Sequence, residues 1–233
     1  MKRCSLVVLA CLSLFQVDAQ DFWFGLKAGP TVGFQQWNSY DRQPLFTRHI
    51  AGFIESFAEE DDNGSVYAQL GYHTRGSSIR FINGFTSDLF SEGIEFYNLS
   101  LQGGIKRFLK KNDKSITYYS VGARLEYTVD TNLQDENSDF LDPFFPIDNF
   151  TNKFNYGISF GGGYNYSFSD LFTGFIELSF HPDVSYQYQQ AALPIGIVNP
   201  FTGNLQTIGE RQIRNLTVEI SVGINFLRKV IYE

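Results

Sequence analysis

The chain has 233 residues, room for one barrel-sized domain or two small ones, and carries 18 Lys and Arg against 25 Asp and Glu, a net charge of −7. That sign argues against nucleic acid as a partner, since polyanion binding draws on clustered basic side chains. Aromatic residues make up 17% of the chain, with seven Pro and one Met, values that suit an all-β exported protein whether soluble or membrane-embedded.

Lys2 and Arg3, the apolar run 5–15 and the small-residue site Val17-Asp18-Ala19 have the three parts of a secretory signal peptide, so residues 1–19 are expected to be cleaved and the mature chain to start at Gln20. Val8-Leu9-Ala10-Cys11 loosely resembles a lipobox, but the apolar run before Cys11 is short and continues past it, which favours ordinary cleavage. Losing Lys2, Arg3 and Asp18 leaves 16 bases against 24 acids, a net of −8. Cys4 and Cys11 both lie in this segment, so residues 20–233 contain no thiol for a disulfide, a nucleophile or a metal site. No later apolar run reaches the roughly 18 residues of a membrane-spanning helix. A membrane protein without one must be a closed barrel, because open strands would leave backbone groups unpaired in lipid.

Eight segments have strand character. In 22–34, Phe22, Phe24, Leu26 and Ala28 alternate with Trp23, Gly25, Lys27 and Gly29, which puts Lys27 on the polar face; Pro30 is expected at a bulge or in the looser outer half, since it cannot donate to a ladder. Segment 46–59 has the least decided facing, with Glu55 assigned inside, and the acidic run 59–65 ends in Asn63-Gly64, a tight-turn signal. In 65–82, Val66, Ala68, Leu70 and Tyr72 face out, and Gln69, Gly71, His73 and Arg75 face in. Segment 93–108 sets Leu99, Leu101 and Ile105 against Ser100, Gln102 and Lys106, and 116–130 sets Tyr119, Val121 and Leu125 against Ser120, Arg124 and Glu126. The stretch 154–168, FNYGISFGGGYNYSF, is the clearest of all: Phe154, Tyr156, Ile158, Phe160, Tyr164, Tyr166 and Phe168 share one face, and the other holds only Gly, Ser and Asn. Segment 171–184 sets Ile176, Leu178 and Phe180 against Phe175, Glu177, Ser179 and His181. In 211–226, Leu216, Val218, Ile220, Val222 and Ile224 oppose Asn215, Thr217, Glu219 and Ser221.

The links after the second, fourth and sixth segments are short, whereas 35–45, 83–92, 131–152 and 185–210 are longer. Short and long links in alternation, with aromatics at both strand ends, predict an all-β, eight-stranded, antiparallel up-and-down transmembrane β-barrel. The inner girdle is expected to include Phe22, Trp23, Phe24, Phe108, Tyr118, Tyr119, Tyr166, Phe168, Phe172 and Phe226; the outer one includes Phe34, Trp37, Phe46, Tyr72, Phe96, Tyr97, Tyr127, Phe154, Tyr156 and Phe180. A soluble exported lipocalin-like barrel is the architectural rival.

Parity then defines a lumen set of Lys27, Glu55, Arg75, Lys106, Arg124, Glu126, Glu177, His181 and Glu219. An eight-stranded barrel has just enough interior for side chains, and a buried charge without a partner costs several kcal/mol, so a plug of internal ion pairs is expected, with a gated ion path as the rival. His181, Asp183, Ser179 and Ser185 suggest a lipid-modifying enzyme, but residues two apart on one strand lie roughly 6–7 Å apart, which argues against direct hydrogen bonds between them. The run Asp130, Asp135, Glu136, Asp139, Asp142 and Asp148 matches no calcium-loop spacing and reads as a solvated acidic loop. Gly161-Gly162-Gly163 opens no helix and lacks a following Lys, so no phosphate loop and no cofactor is expected; small residues at 157, 159, 161 and 163 instead make room for Arg124, Glu126 and Glu177. The apolar loop residues Leu193, Ile195, Ile197, Val198 and Phe201 either fold over the barrel mouth or bind a protein partner.

Four stretches carry a family resemblance: FGLKAGPTVGF at 24–34, YAQLGYHTRGSSIRF at 67–81, FYNLSLQGGIKRFL at 96–109 and VEISVGINF at 218–226. They resemble the PorT-like outer-membrane β-barrel proteins common in Bacteroidetes. The resemblance implies an eight-stranded barrel in contact with outer-membrane lipid in a Gram-negative cell. Because the name-giving member assists protein secretion, it also implies a structural or interaction role in a secretion or envelope assembly.

Overall fold

The computed structural model describes residues 21–35, 37, 41–56, 63–82, 89–135, 145–198 and 203–228. The expected signal peptide, residues 59–62 of the run 59–65 expected to form a tight turn, the acidic residues Glu136, Asp139 and Asp142, and Phe201 lie outside them.

Eight long strands form the wall: β1 (Phe22–Gln35), β3 (Leu45–Ser56), β4 (Gly64–Ile82), β5 (Leu89–Asn112), β6 (Ser115–Thr131), β7 (Phe154–Ser169), β8 (Phe172–Pro182) and β13 (Asn215–Arg228). Five short strands, β2 (Asp41–Gln43), β9 (Tyr188–Gln190), β10 (Leu193–Val198), β11 (Leu205–Ile208) and β12 (Arg211–Ile213), belong to the connections. Each long strand pairs antiparallel with its neighbours in the chain, β13 pairs with β1, and the ring is closed. Closure leaves no stave with an unpaired edge. The sequence-derived segments match these staves one for one.

Polarity is inverted relative to a soluble barrel. Large apolar side chains such as Leu26, Leu70, Leu101, Leu125, Phe160, Ile176 and Val222 stand exposed on the outer face, while every charged residue expected inside is buried. On β7, Asn155, Gly157 and Ser159 are buried and Phe154, Tyr156, Ile158 and Phe160 exposed, the split that a two-residue period dictates.

Pro30 causes no bulge. The β1–β13 pairing lapses at Gly29-Pro30 and resumes in the same register, from Ala28↔Val222 to Thr31↔Glu219. At the lapse Gly29 lets the Ile220 carbonyl approach where any Cβ would clash.

The inner girdle is a run of touching rings, Phe22–Phe24–Phe226–Phe172–Phe168–Tyr166, with successive centroids 5.2 to 6.4 Å apart across four strands. Five expected girdle members are elsewhere. Trp23 and Phe108 share the lumen parity of Lys27 and Lys106 and line the inner mouth beside Glu55. Tyr118 points into the lumen, because it has the opposite parity to Tyr119. Trp37 and Phe96 join Ile79, Ile94, Phe145, Tyr188 and Ile213 in a buried apolar cluster. That cluster caps the outer end of the lumen, and Tyr188 brings part of the 185–210 connection into it.

Candidate functional site: the charged lumen

The lumen is stacked in layers from the inner mouth outward. Near the inner mouth, Lys106 Nζ donates to Glu55 Oε2 at 2.5 Å, and Ser65 bonds the other oxygen of the same carboxylate. Four rings surround this ammonium, with centroids of Tyr118, Phe53, Tyr67 and Phe175 at 4.7, 5.5, 5.6 and 6.0 Å. Ring faces and a carboxylate together replace the water that a buried ammonium loses. Beside it, Glu177 accepts from Lys27 Nζ at 2.6 Å and from Tyr118 Oη at 2.7 Å. The remaining void among Lys27, Phe53, Tyr67, Gln69, Lys106, Phe175 and Glu177 is about 10 Å³, no more than a single water needs.

At mid-depth, all three histidines of the chain converge on Glu219, which is completely buried. His73 Nδ1 lies 2.7 Å from Oε1, and His181 Nε2 and His49 Nε2 lie 3.2 and 3.9 Å from Oε2. Hydroxyls surround two of the rings: on His49, Thr31 meets Nδ1 and Ser221 meets the Nε2 that faces Glu219, and on His181, Ser159 meets Nδ1 and Ser179 meets Nε2. His49 and His73 stack with centroids 5.6 Å apart. The imidazoles are arranged round a carboxylate rather than round a void, and among the described residues no group of His, Cys, Asp or Glu has metal-holding geometry.

An arginine layer follows. Arg75 bridges Glu126 at 2.9 Å and Glu219 at 3.6 Å and also bonds Thr217, while Arg124 joins Glu126 at 2.9 Å to Asp183. Asp183 accepts a further bond from Asn215 at 2.9 Å. An unbroken chain of charge contacts therefore runs from the histidines to Asp183, just under the apolar cap.

The nine parity-assigned residues are all brought together inside. Parity does not declare His49 and leaves His73 and Asp183 out of the charge set, so the contacts described join five carboxylates to four Lys and Arg, with Arg211 also buried, bonded to Gln190. The glycine face of β7 also makes room differently from expectation: Gly157 admits Arg124, but Gly161 faces Ser120, and Gly163 lies under the Tyr118 ring, where a Cβ would come within 2.5 Å of its oxygen.

His181 does reach Ser179, at 3.0 Å, because its long side chain leans along the strand and covers the spacing. The arrangement still lacks triad logic. Glu219 and Ser179 meet the same ring nitrogen, and the opposite nitrogen faces Ser159 rather than an orienting acid.

No protein-family model matches the chain, and no curated protein matches it in sequence. Among solved structures it is similar to the outer membrane protein OprG from Pseudomonas aeruginosa, with a TM-score of 0.52 and 10% identity over 91% of this chain and 97% of OprG. It is also similar to Neisserial surface protein A, with a TM-score of 0.47 and 9% identity over 88% of this chain and 96% of the other. At such identities the likeness to OprG is one of fold, a closed antiparallel barrel of the outer-membrane kind.

Proposed function

We propose that this is an exported outer-membrane protein of a Gram-negative bacterium, a sealed barrel that acts as a scaffold for an envelope or secretion assembly. The observation that carries the reading is the inverted polarity of the wall: an apolar, aromatic-edged exterior around a fully buried ionic interior. In water such an exterior would expose far more contiguous apolar surface than soluble monomers tolerate, whereas in lipid it is the matched surface. The signal-like residues 1–19 and the PorT-like motifs support the same address and a role in assembly. Pairing through the lumen favours a plug over a narrow pore, because each ion pair that fills the interior would have to break to let a solute pass.

The connection between β9 and β12, whose β10 and β11 pair as a hairpin, is the proposed contact for a protein partner, through its apolar sequence Leu193, Ile195, Ile197, Val198 and Phe201. Membrane fractionation with heat-modifiable gel migration tests the address: the protein is expected in the outer-membrane fraction with a faster-migrating unheated form, and partition into the aqueous phase would sink the reading. Affinity capture from detergent-solubilised outer membranes tests the role. An Ile195→Asp/Ile197→Asp variant is expected to lose partners that the wild type retains, and equal capture by both would remove the hairpin from the proposal.

A further inference from the structure

At the outer end, the wall divides between β1 and β13. Their last pair is Gln35↔Asn215. Beyond it the two chains part: β2 crosses to pair with β4 through Gln43↔Ser78, while β12 pairs with β9 through Ile213↔Tyr188. On the other side, the β13–β8 ladder ends at Leu216↔Pro182. The parting leaves a cleft of about 1040 Å³, at the upper end of the range for small-molecule pockets.

The two sides of this cleft differ in chemistry. Phe34 and Leu216, 41% and 45% exposed, form an apolar lip with Pro182 on the barrel's outer face. Gln35, Asn215 and Asp183 form a buried polar back wall whose groups already serve one another and Arg124. Above the lip stands Arg214, exposed and on the outward parity of Leu216. Its guanidinium lies over the Tyr186 ring, 4.2 Å from the centroid, and makes no ion pair among the described residues, unlike both lumen arginines. Glu210, which also lines the cleft, is hydrogen-bonded by Gln212 at 2.5 Å, and its charge disfavours a polyanion.

We propose that this cleft is a lipid-binding site that takes a phosphate-bearing lipid from the membrane side, its acyl chain along Phe34, Pro182 and Leu216 and its phosphate on the Arg214 guanidinium. A guanidinium offers phosphate a two-pronged, charge-assisted grip, and its stacking on Tyr186 holds the fork in place before the ligand arrives. The proposal rests on the membrane reading above, which supplies the lipid.

Trp37 is a natural reporter, since its indole donates to Gln35 on the cleft wall at 2.9 Å, and Trp23→Phe makes it the single tryptophan. The refolded full-length variant in nonionic detergent micelles is titrated with lysophosphatidic acid carrying a brominated chain, and with the matching brominated monoacylglycerol. Quenching by the phosphate lipid is expected to saturate at one equivalent, with half-saturation raised about tenfold or more both for the uncharged lipid and in Arg214→Gln. Superimposed curves for the two lipids, or an unchanged curve in Arg214→Gln, would overturn the site. Heat-modifiable migration of the same samples separates the two failures: its loss in the wild type strikes the membrane reading, whereas intact migration with unsaturable quenching strikes the cleft alone.

Discussion

Glu177 and Glu219 are both buried carboxylates, yet their replacement by glutamine should differ in cost because their partners differ in alternatives. Glu177 is the one carboxylate in ion-pair contact with Lys27 among the described residues and also accepts from Tyr118. Glu177→Gln therefore strands a buried ammonium and is expected to cost about 3–5 kcal/mol. Glu219→Gln is expected to cost less, because Arg75 keeps Glu126 and the three imidazoles can remain neutral. Urea unfolding in lipid vesicles gives the order, and a larger loss for Glu219→Gln would show that its contacts to the histidines carry a protonated pair. Lys27→Met/Glu177→Leu, which removes both charges, should recover most of the Glu177→Gln loss. Parity was enough to place Glu177, Lys27 and Glu219 inside, but not to pair them. Lys27 and Glu177 are 150 positions apart, and their meeting depends on how far one stave is staggered against the next, a quantity no single strand's pattern contains. His49 was missed for a simpler reason: in 46–59 apolar residues occupy both parities, so neither face declares itself.

At the level of the strand, β7 ties its small-residue face to a specific neighbour. A Cβ at Gly163 would lie 2.5 Å from Tyr118 Oη, 2.6 Å from its Cζ and 2.7 Å from the Ile176 carbonyl, whereas at Gly162 its nearest neighbour is the Tyr118 carbonyl at 3.5 Å. Gly163→Ala must displace the ring that holds Glu177 and is expected to cost roughly 1–3 kcal/mol, while Gly162→Ala should be close to neutral. Adding Tyr118→Leu to Gly163→Ala tests the mechanism, since removing the colliding end of the ring, both Cζ and its hydroxyl, should make the double variant lose less than the two single losses combined. Strict additivity would place the strain in the backbone at Ile176 instead. The strand itself is plain in the sequence from its aromatic and glycine faces, but the reason for its glycines is not: parity points to charged neighbours, and the group that needs the space at Gly163 is an aromatic ring. β4 spans 64–82, against 65–82 from the pattern, but the ends of β5 are harder to read. β5 runs from Leu89 to Asn112 rather than over 93–108, because its outer end pairs with β4 from Ile82↔Leu89 inward, a pairing that locally non-periodic sequence gives no sign of.

For the barrel as a whole, closure is a matter of two seals in series rather than one constriction. The outer seal is the apolar cluster of Trp37, Ile79, Ile94, Phe96, Phe145, Tyr188 and Ile213. The inner seal is the ring set about Lys106, in which Phe53 and Phe175 meet edge to face at 5.6 Å; beyond it lies an inner vestibule of about 700 Å³ that reaches Glu55. Seals in series predict that opening one leaves the path blocked. Phe53→Ala/Phe175→Ala should admit small reagents from the inner mouth as far as Gln69, which lines the void behind those rings, and still carry no steady current across a planar bilayer. Residues 20–233 contain no cysteine, so Gln69→Cys gives a clean reporter: silent to a membrane-impermeant thiol reagent in the wild-type background and labelled in the double alanine background. Steady current through the otherwise unaltered barrel would make the lumen a conduit and the ion pairs its gate. Labelling of Gln69→Cys without the alanines would instead show that the inner rings are not a seal, and closure would then rest on the arginine layer and the cap above it.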